Sequence, residues 1–93
     1  MEFEWNQSKN RANVRKHGLS FETAQLIFDD PLAVTVRDRM SNGEERWHTI
    51  GTVGGLLLLV AHTYRKSGDD EVTRIISARR ASPREKRFYE END

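Results

Sequence analysis

The chain has no cysteine. A disulfide framework and a thiolate zinc site are therefore excluded, and a reducing, cytoplasmic setting suits it. It has only two prolines, and no repeat, linker or low-complexity segment divides its 93 residues. They read as one domain, 1–93, with room for one modest core. Long apolar runs are missing as well. The longest, residues 56–61, falls far short of a membrane span and reads as a buried strand. The opening residues Met1-Glu2-Phe3-Glu4-Trp5-Asn6 carry neither a basic n-region nor an apolar h-region, so they do not read as a signal peptide. Net charge is absent too, since 15 Lys and Arg balance 15 Asp and Glu.

What is present is placement of charge. Residues 74–87 hold six cations and one carboxylate, and residues 9–16 hold four cations and no acid. Residues 29–45 carry five acids against two cations. A local basic face, more than net charge, is what a phosphate backbone responds to. The plainer alternative is a surface that is simply charged.

The chain punctuates itself clearly. Asn6-Gln7-Ser8 can cap a helix running through about Lys16, with Gly18 as its stop. This helix has little apolar surface beyond Ala12 and Val14, which predicts a surface position. Ser20 can cap a second helix whose apolar side is Phe21, Ala24, Leu26, Ile27 and Phe28, ended by Asp29-Asp30-Pro31. The period then changes to two. Strands are predicted over 32–39, 46–53, 56–65 and 72–79, with hairpin turns at Ser41-Asn42-Gly43 and Gly54-Gly55 and a polar loop over 66–70. Ser82-Pro83-Arg84-Glu85 is a capping box that opens a last helix. The predicted fold class is α+β: two N-terminal helices, a four-stranded antiparallel sheet and a C-terminal helix, with the helices on one face. A strict two-residue turn at Gly54-Gly55 sets Val53 opposite Leu56, Trp47 opposite His62 and Glu45 opposite Tyr64, with Arg46 opposite Thr63 on the other face.

These elements resemble, in order, the BrnT family of bacterial type II toxins. The likeness rests on Phe3-Glu4-Trp5-Asn6, Asn13-Val14-Arg15-Lys16-His17-Gly18, Ser20-Phe21-Glu22 and Phe28-Asp29-Asp30-Pro31. It continues through Glu45-Arg46-Trp47, Ile50-Gly51, Arg74-Ile75-Ile76-Ser77-Ala78-Arg79-Arg80-Ala81 and Arg84-Glu85. Asn6 stands where the family more often has Asp. The resemblance implies a RelE-like ribonuclease toxin fold, RNA cleavage without a metal or other cofactor, and arrested translation. It also implies neutralisation by a BrnA-like ribbon-helix-helix antitoxin, through which alone operator DNA would be bound. The rival is a non-catalytic subunit that docks an antitoxin and adjusts its operator binding.

Cleavage through the substrate's own 2′-hydroxyl asks the protein to position a phosphate, stabilise its charge and assist proton transfer. Arg46, Arg74 and Arg79 are the candidates for the phosphate, because a guanidinium stays charged and meets two oxygens at once. Each has an alternative as an ion-pair partner of a helix carboxylate such as Glu22 or Glu85. His17 is the candidate acid or base, with Lys16 raising the local potential; its alternative is a helix-ending cation. Lys9, Arg15, His62, Arg80 and Tyr89 are candidate RNA contacts. His62 has an equally good place at the core edge beside Trp47. The histidines His17, His48 and His62 lack zinc-ligand spacing.

Overall fold

Helix α1, Gln7–His17, starts where the Asn6 side chain accepts from the Lys9 N–H at 3.1 Å, and Gly18 closes it by donating to the Val14 carbonyl. The structure is a computed structural model and describes residues 1–41 and 43–92; the predicted turn residue Asn42 and the tail residue Asp93 lie outside it. As its composition predicts, α1 offers little apolar surface, and Val14 is exposed. Its buried residues are two asparagines, Asn10 and Asn13. Asn10 accepts from the Phe21 N–H and donates to Glu22, both at 2.8 Å. Asn13 accepts from the Ala78 N–H at 3.1 Å and donates to the carbonyls of Ala78 and Leu19. Buried amides so fully bonded can replace an apolar stripe as anchors.

Ser20 caps α2, Phe21–Ala24, by accepting from the Thr23 N–H. The predicted second helix is α-helical for this one turn only and continues as a 3-10 helix, Gln25–Asp29. Five strands follow the pattern β1 Glu2–Glu4, β2 Val34–Ser41, β3 Glu44–Val53, β4 Leu56–Ser67 and β5 Asp70–Arg80, and α3 spans Pro83–Glu91.

The sheet order is β1-β5-β4-β3-β2, with β1 parallel to β5 and the other pairings antiparallel. The predicted four-stranded antiparallel sheet is therefore corrected to a five-stranded mixed one. Strand β1 is three residues long, too short to show alternation, and its partner Thr73 lies seventy positions from Phe3. The predicted loop over 66–70 is corrected as well. Strands β4 and β5 pair out to Ser67 and Asp70, leaving only Gly68 and Asp69 to turn. Polar side chains there decorate a solvated ladder, which composition alone reads as loop.

The expected register of the β3–β4 hairpin holds from Val53–Leu56 to Trp47–His62. Gly54 and Gly55 have φ of 55° and 83°, as a two-residue hairpin turn requires. The Glu45–Tyr64 and Arg46–Thr63 pairs lie beyond the end of that ladder.

Cross-strand partners share a face. On the first face, Leu58, Val60, Ile75 and Ala78 pack against Leu19, Phe21, Ala24 and Ile27 to form the main core, with Phe3, Trp5, Phe28 and Val53 around it. Gly51 belongs to this face because a Cβ there would stand 3.1 Å from the Ile27 Cβ and carbonyl oxygen. The second face carries His48 beside Ala61, Ile50 beside Leu59, Ser77 beside Ala61 and Arg74 beside Thr63. Helix α3 lies over this second face. Helices are thus on both faces, which corrects the one-face expectation. The physical reason is that Ile50 and Leu59, 3% and 4% exposed, need cover of their own.

Candidate functional site

Helix α3 is set by polar bonds more than by burial, for none of its residues is buried. The capping box forms as the sequence predicts: Ser82 accepts from the Glu85 N–H, and Glu85 accepts from the Ser82 N–H. Glu85 also takes a two-point grip from Arg79, both bonds at 2.8 Å. At its far end the Tyr89 hydroxyl donates to Asp30 at 2.6 Å. These bonds place α3 across the level of Leu57 and Leu59, and Val36, His48, Ile50, Leu59, Arg84, Glu85 and Phe88 line a shallow hollow along it.

Beyond that hollow, the second face presents cations. Arg46 and His48 are two residues apart on β3 and point the same way. Arg74 reaches the same face from β5, where its cross-strand partner is Thr63. Arg39 pairs with Arg46 from β2. Arg46 is half-buried and makes no ion pair among the described residues. Arg74 meets Glu4 at 3.2 Å, while Arg65 grips the same carboxylate at 2.6 and 2.7 Å. The Arg65 bonds above all, against the opposing effect of burial and with help from Arg74, hold the Glu4 carboxyl at about 2. Glu4 therefore stays ionised and keeps Arg74 oriented. Thr63 is 2% exposed and its hydroxyl has no hydrogen-bond partner among the described residues. A buried polar atom without a partner is uncommon, and here it lies in the cationic row.

The β2 strand bulges at Asp38: Arg37 pairs with Trp47 but Arg39 pairs with Arg46. The extra residue brings Asp38 alongside His48, with Oδ2 at 3.3 Å from Nε2. Bulges commonly re-aim side chains in this way beside functional surfaces. Among the described residues, no three His, Asp or Glu side chains are grouped as metal ligands would be.

Residues 5–85 match the family described as the ribonuclease toxin, BrnT, of a type II toxin-antitoxin system. The chain belongs to the BrnT family. It is accordingly a ribonuclease toxin whose class implies an antitoxin partner. No curated protein matches it at a significant level.

The remaining candidate residues of this BrnT chain fall in several places. Arg79 is on the second face but committed to Glu85. His17 and Lys16 stand exposed at the end of α1, which packs on β5 through Asn13 on the side of the first face. Lys9 and Arg15 are exposed on that same helix. Arg80 and Tyr89 line a separate hollow with Lys86 at the Gly54–Gly55 end of the sheet. His62 lies in the core of the first face, 0% exposed. It sits between Phe28 and Tyr64 at ring distances of 5.2 and 5.1 Å, with Nε2 2.7 Å from Thr49 Oγ1. The structure thus brings Arg46 and Arg74 to one face and leaves His17 and His62 apart from them. His48 was missed as a site residue. The available signal was strand alternation, which sends residue 48 to the same side as residue 46.

Proposed function

We propose that this protein cleaves RNA on the second face of its sheet, between α3 and the Arg46–Arg74 row. The observation that carries the reading is the placement of Arg46 and Arg74, from strands on either side of β4, on one face that α3 only partly covers. Arg46 has no competing carboxylate among the described residues, and Glu4 steadies Arg74. Two guanidinium groups can meet the non-bridging oxygens of one phosphate and stabilise the charge that builds there in the transition state.

The nucleophile is the 2′-oxygen of the RNA itself. It bonds to phosphorus as the bond to the 5′-oxygen breaks, leaving a 2′,3′-cyclic phosphate and a 5′-hydroxyl. The reaction is metal-independent in this reading, because the arginines supply the positive charge. By the family resemblance, cleavage arrests translation, the fold is RelE-like, and a BrnA-like ribbon-helix-helix antitoxin neutralises the toxin and alone contacts operator DNA.

The test is cleavage of RNA by the purified protein in the presence of a chelator. Arg46→Ala and Arg74→Ala variants with unchanged melting curves should each lose activity on the order of 10²-fold. A single 2′-deoxy substitution at the cut site should block the reaction. Full activity in both arginine variants would move the site elsewhere. Tight antitoxin binding with no cleavage of any RNA would favour the docking subunit.

A further inference from the structure

A leaving 5′-oxygen needs a proton, and the cationic row itself cannot give one, since a guanidinium does not release its proton near neutrality. Beside that row, on the second face, His48 can. His48 lies at the boundary between the α3 hollow and the Arg46–Arg74 row, with its side chain 29% exposed. It is therefore open to a substrate phosphate held by Arg46, two residues away on the same strand face. The β2 bulge supplies Asp38 at 3.3 Å. A carboxylate so placed limits the directions the ring can take and can turn its other nitrogen toward the row.

We propose that His48 is the general acid of the reaction and that Asp38 is its positioning residue. The proposal rests on the reading of the second face as the RNA site. In the step, the 2′-oxygen bonds to phosphorus and gives its proton to water. The bond from phosphorus to the 5′-oxygen breaks, and that oxygen takes its proton from the His48 ring. Solvent then returns a proton to the imidazole. No oxidant, metal or further reactant enters.

The charged groups around the ring are Asp38 and Arg39 from β2, Arg46 from β3, and Arg84 and Glu85 from α3, with His62 beneath the sheet. Asp38 meets Arg39 at 3.9 Å as well. Glu85 is occupied by Arg79 and the Ser82 amide, so Asp38 is the carboxylate that acts on His48.

Leaving-group chemistry separates an acid from a structural histidine. His48→Gln should cleave ordinary RNA on the order of 10²-fold more slowly than wild type. It should recover most of that loss on RNA with a bridging 5′-sulfur at the cut site, because a thiolate leaves without a proton. The basic limb of the wild-type pH–rate profile should vanish in His48→Gln, and Asp38→Asn should slow cleavage of ordinary RNA yet recover on the sulfur substrate in the same way. Asp38→Asn, which keeps the size of the side chain, also serves if His48→Gln folds poorly.

The proposal fails if wild type cleaves RNA while His48→Gln matches it. It fails equally if the loss persists undiminished on the sulfur substrate, because the histidine is then doing something other than protonation. A wild-type protein that leaves all RNA intact overturns both this step and the reading beneath it, whereas Arg46→Ala inactivity with active His48→Gln overturns the step alone.

Discussion

His62 shows how much a single side chain's setting matters. In the sequence it was a candidate RNA contact with a core-edge alternative, and alternation alone did not say which face would be buried. The structure encloses it in an aromatic row from Phe3 through Phe28 to Tyr64 and Trp47. Burial chiefly, aided by the positive charge on His48, lowers its pKa from 6.5 to about 4. The neutral ring is the one that fits. Its stabilising share is complete above pH 6.5 and is lost as the pH falls from 6.5 toward about 4, because the unfolded chain gains a proton that the folded chain resists. The loss reaches about 3 kcal/mol when complete. Urea melts at pH 7.5 and pH 4.5 should differ accordingly, and His62→Gln, which can keep the Thr49 bond but cannot titrate, should flatten the dependence in that window. An unchanged slope in the variant would place the acid sensitivity in other groups. His48 is the contrasting case: the same residue type two strand positions from Arg46 was legible by alternation, but its partner Asp38 was not. Only the bulge brings Asp38 to it, and no local pattern announces a bulge between Arg37 and Arg39.

Among the elements, α3 was read with the best local warrant and the least certain destination. The capping box is spelled out in four consecutive residues, so its start was legible. Its face was not, because what decides it is Arg79 meeting Glu85 and Tyr89 meeting Asp30, contacts that span 6 and 59 positions. Both carboxylates are held low. Glu85 is at about 2, owing first to Arg79, with burial opposing and the Ser82 amide assisting. Asp30 is also at about 2: burial pushes it up, and bonds from Tyr89, Leu32 and Thr52 outweigh that. Folded-state values below the ordinary ones mean that these bonds contribute fully above about pH 4.5 and fade as the pH falls toward 2. With no buried residue of its own, α3 should be the first element to come free in acid. Hydrogen exchange should show amides in 83–91 losing protection near pH 3 while those of β4 persist. Tyr89→Phe should open the same segment at neutral pH, at a cost of about 1–3 kcal/mol. If α3 and β4 lose protection together in every case, the helix is part of the global unit. Strand β1 is the opposite case: three residues with no local signal, found only through pairing with β5.

At the scale of the whole molecule, zero net charge and a basic stretch give different expectations for RNA, and the fold decides between them. The six cations of residues 74–87 do not share a surface. Arg74 stands in the row with Arg46, and Arg84 borders the adjoining hollow. Arg79 is bound to Glu85, while Arg80 and Lys86 face the hollow at the Gly54–Gly55 end. About three arginines, Arg46, Arg74 and Arg84, are thus placed to meet phosphates together. Each phosphate neutralised on a single strand contributes about −0.7 to the dependence of log affinity on log salt. The slope for a short RNA made uncleavable by 2′-O-methylation should therefore be roughly −2. A protein using all six cations of the stretch would show a slope near −4 under the same conditions. Arg46→Ala should make the slope shallower by about 0.7, and Lys86→Ala should leave it unchanged. Fluorescence anisotropy across a salt series measures both. A steep slope that Lys86→Ala also reduces would mean that RNA runs over the α3 end of the molecule, and that the selective row on the second face is only part of its path.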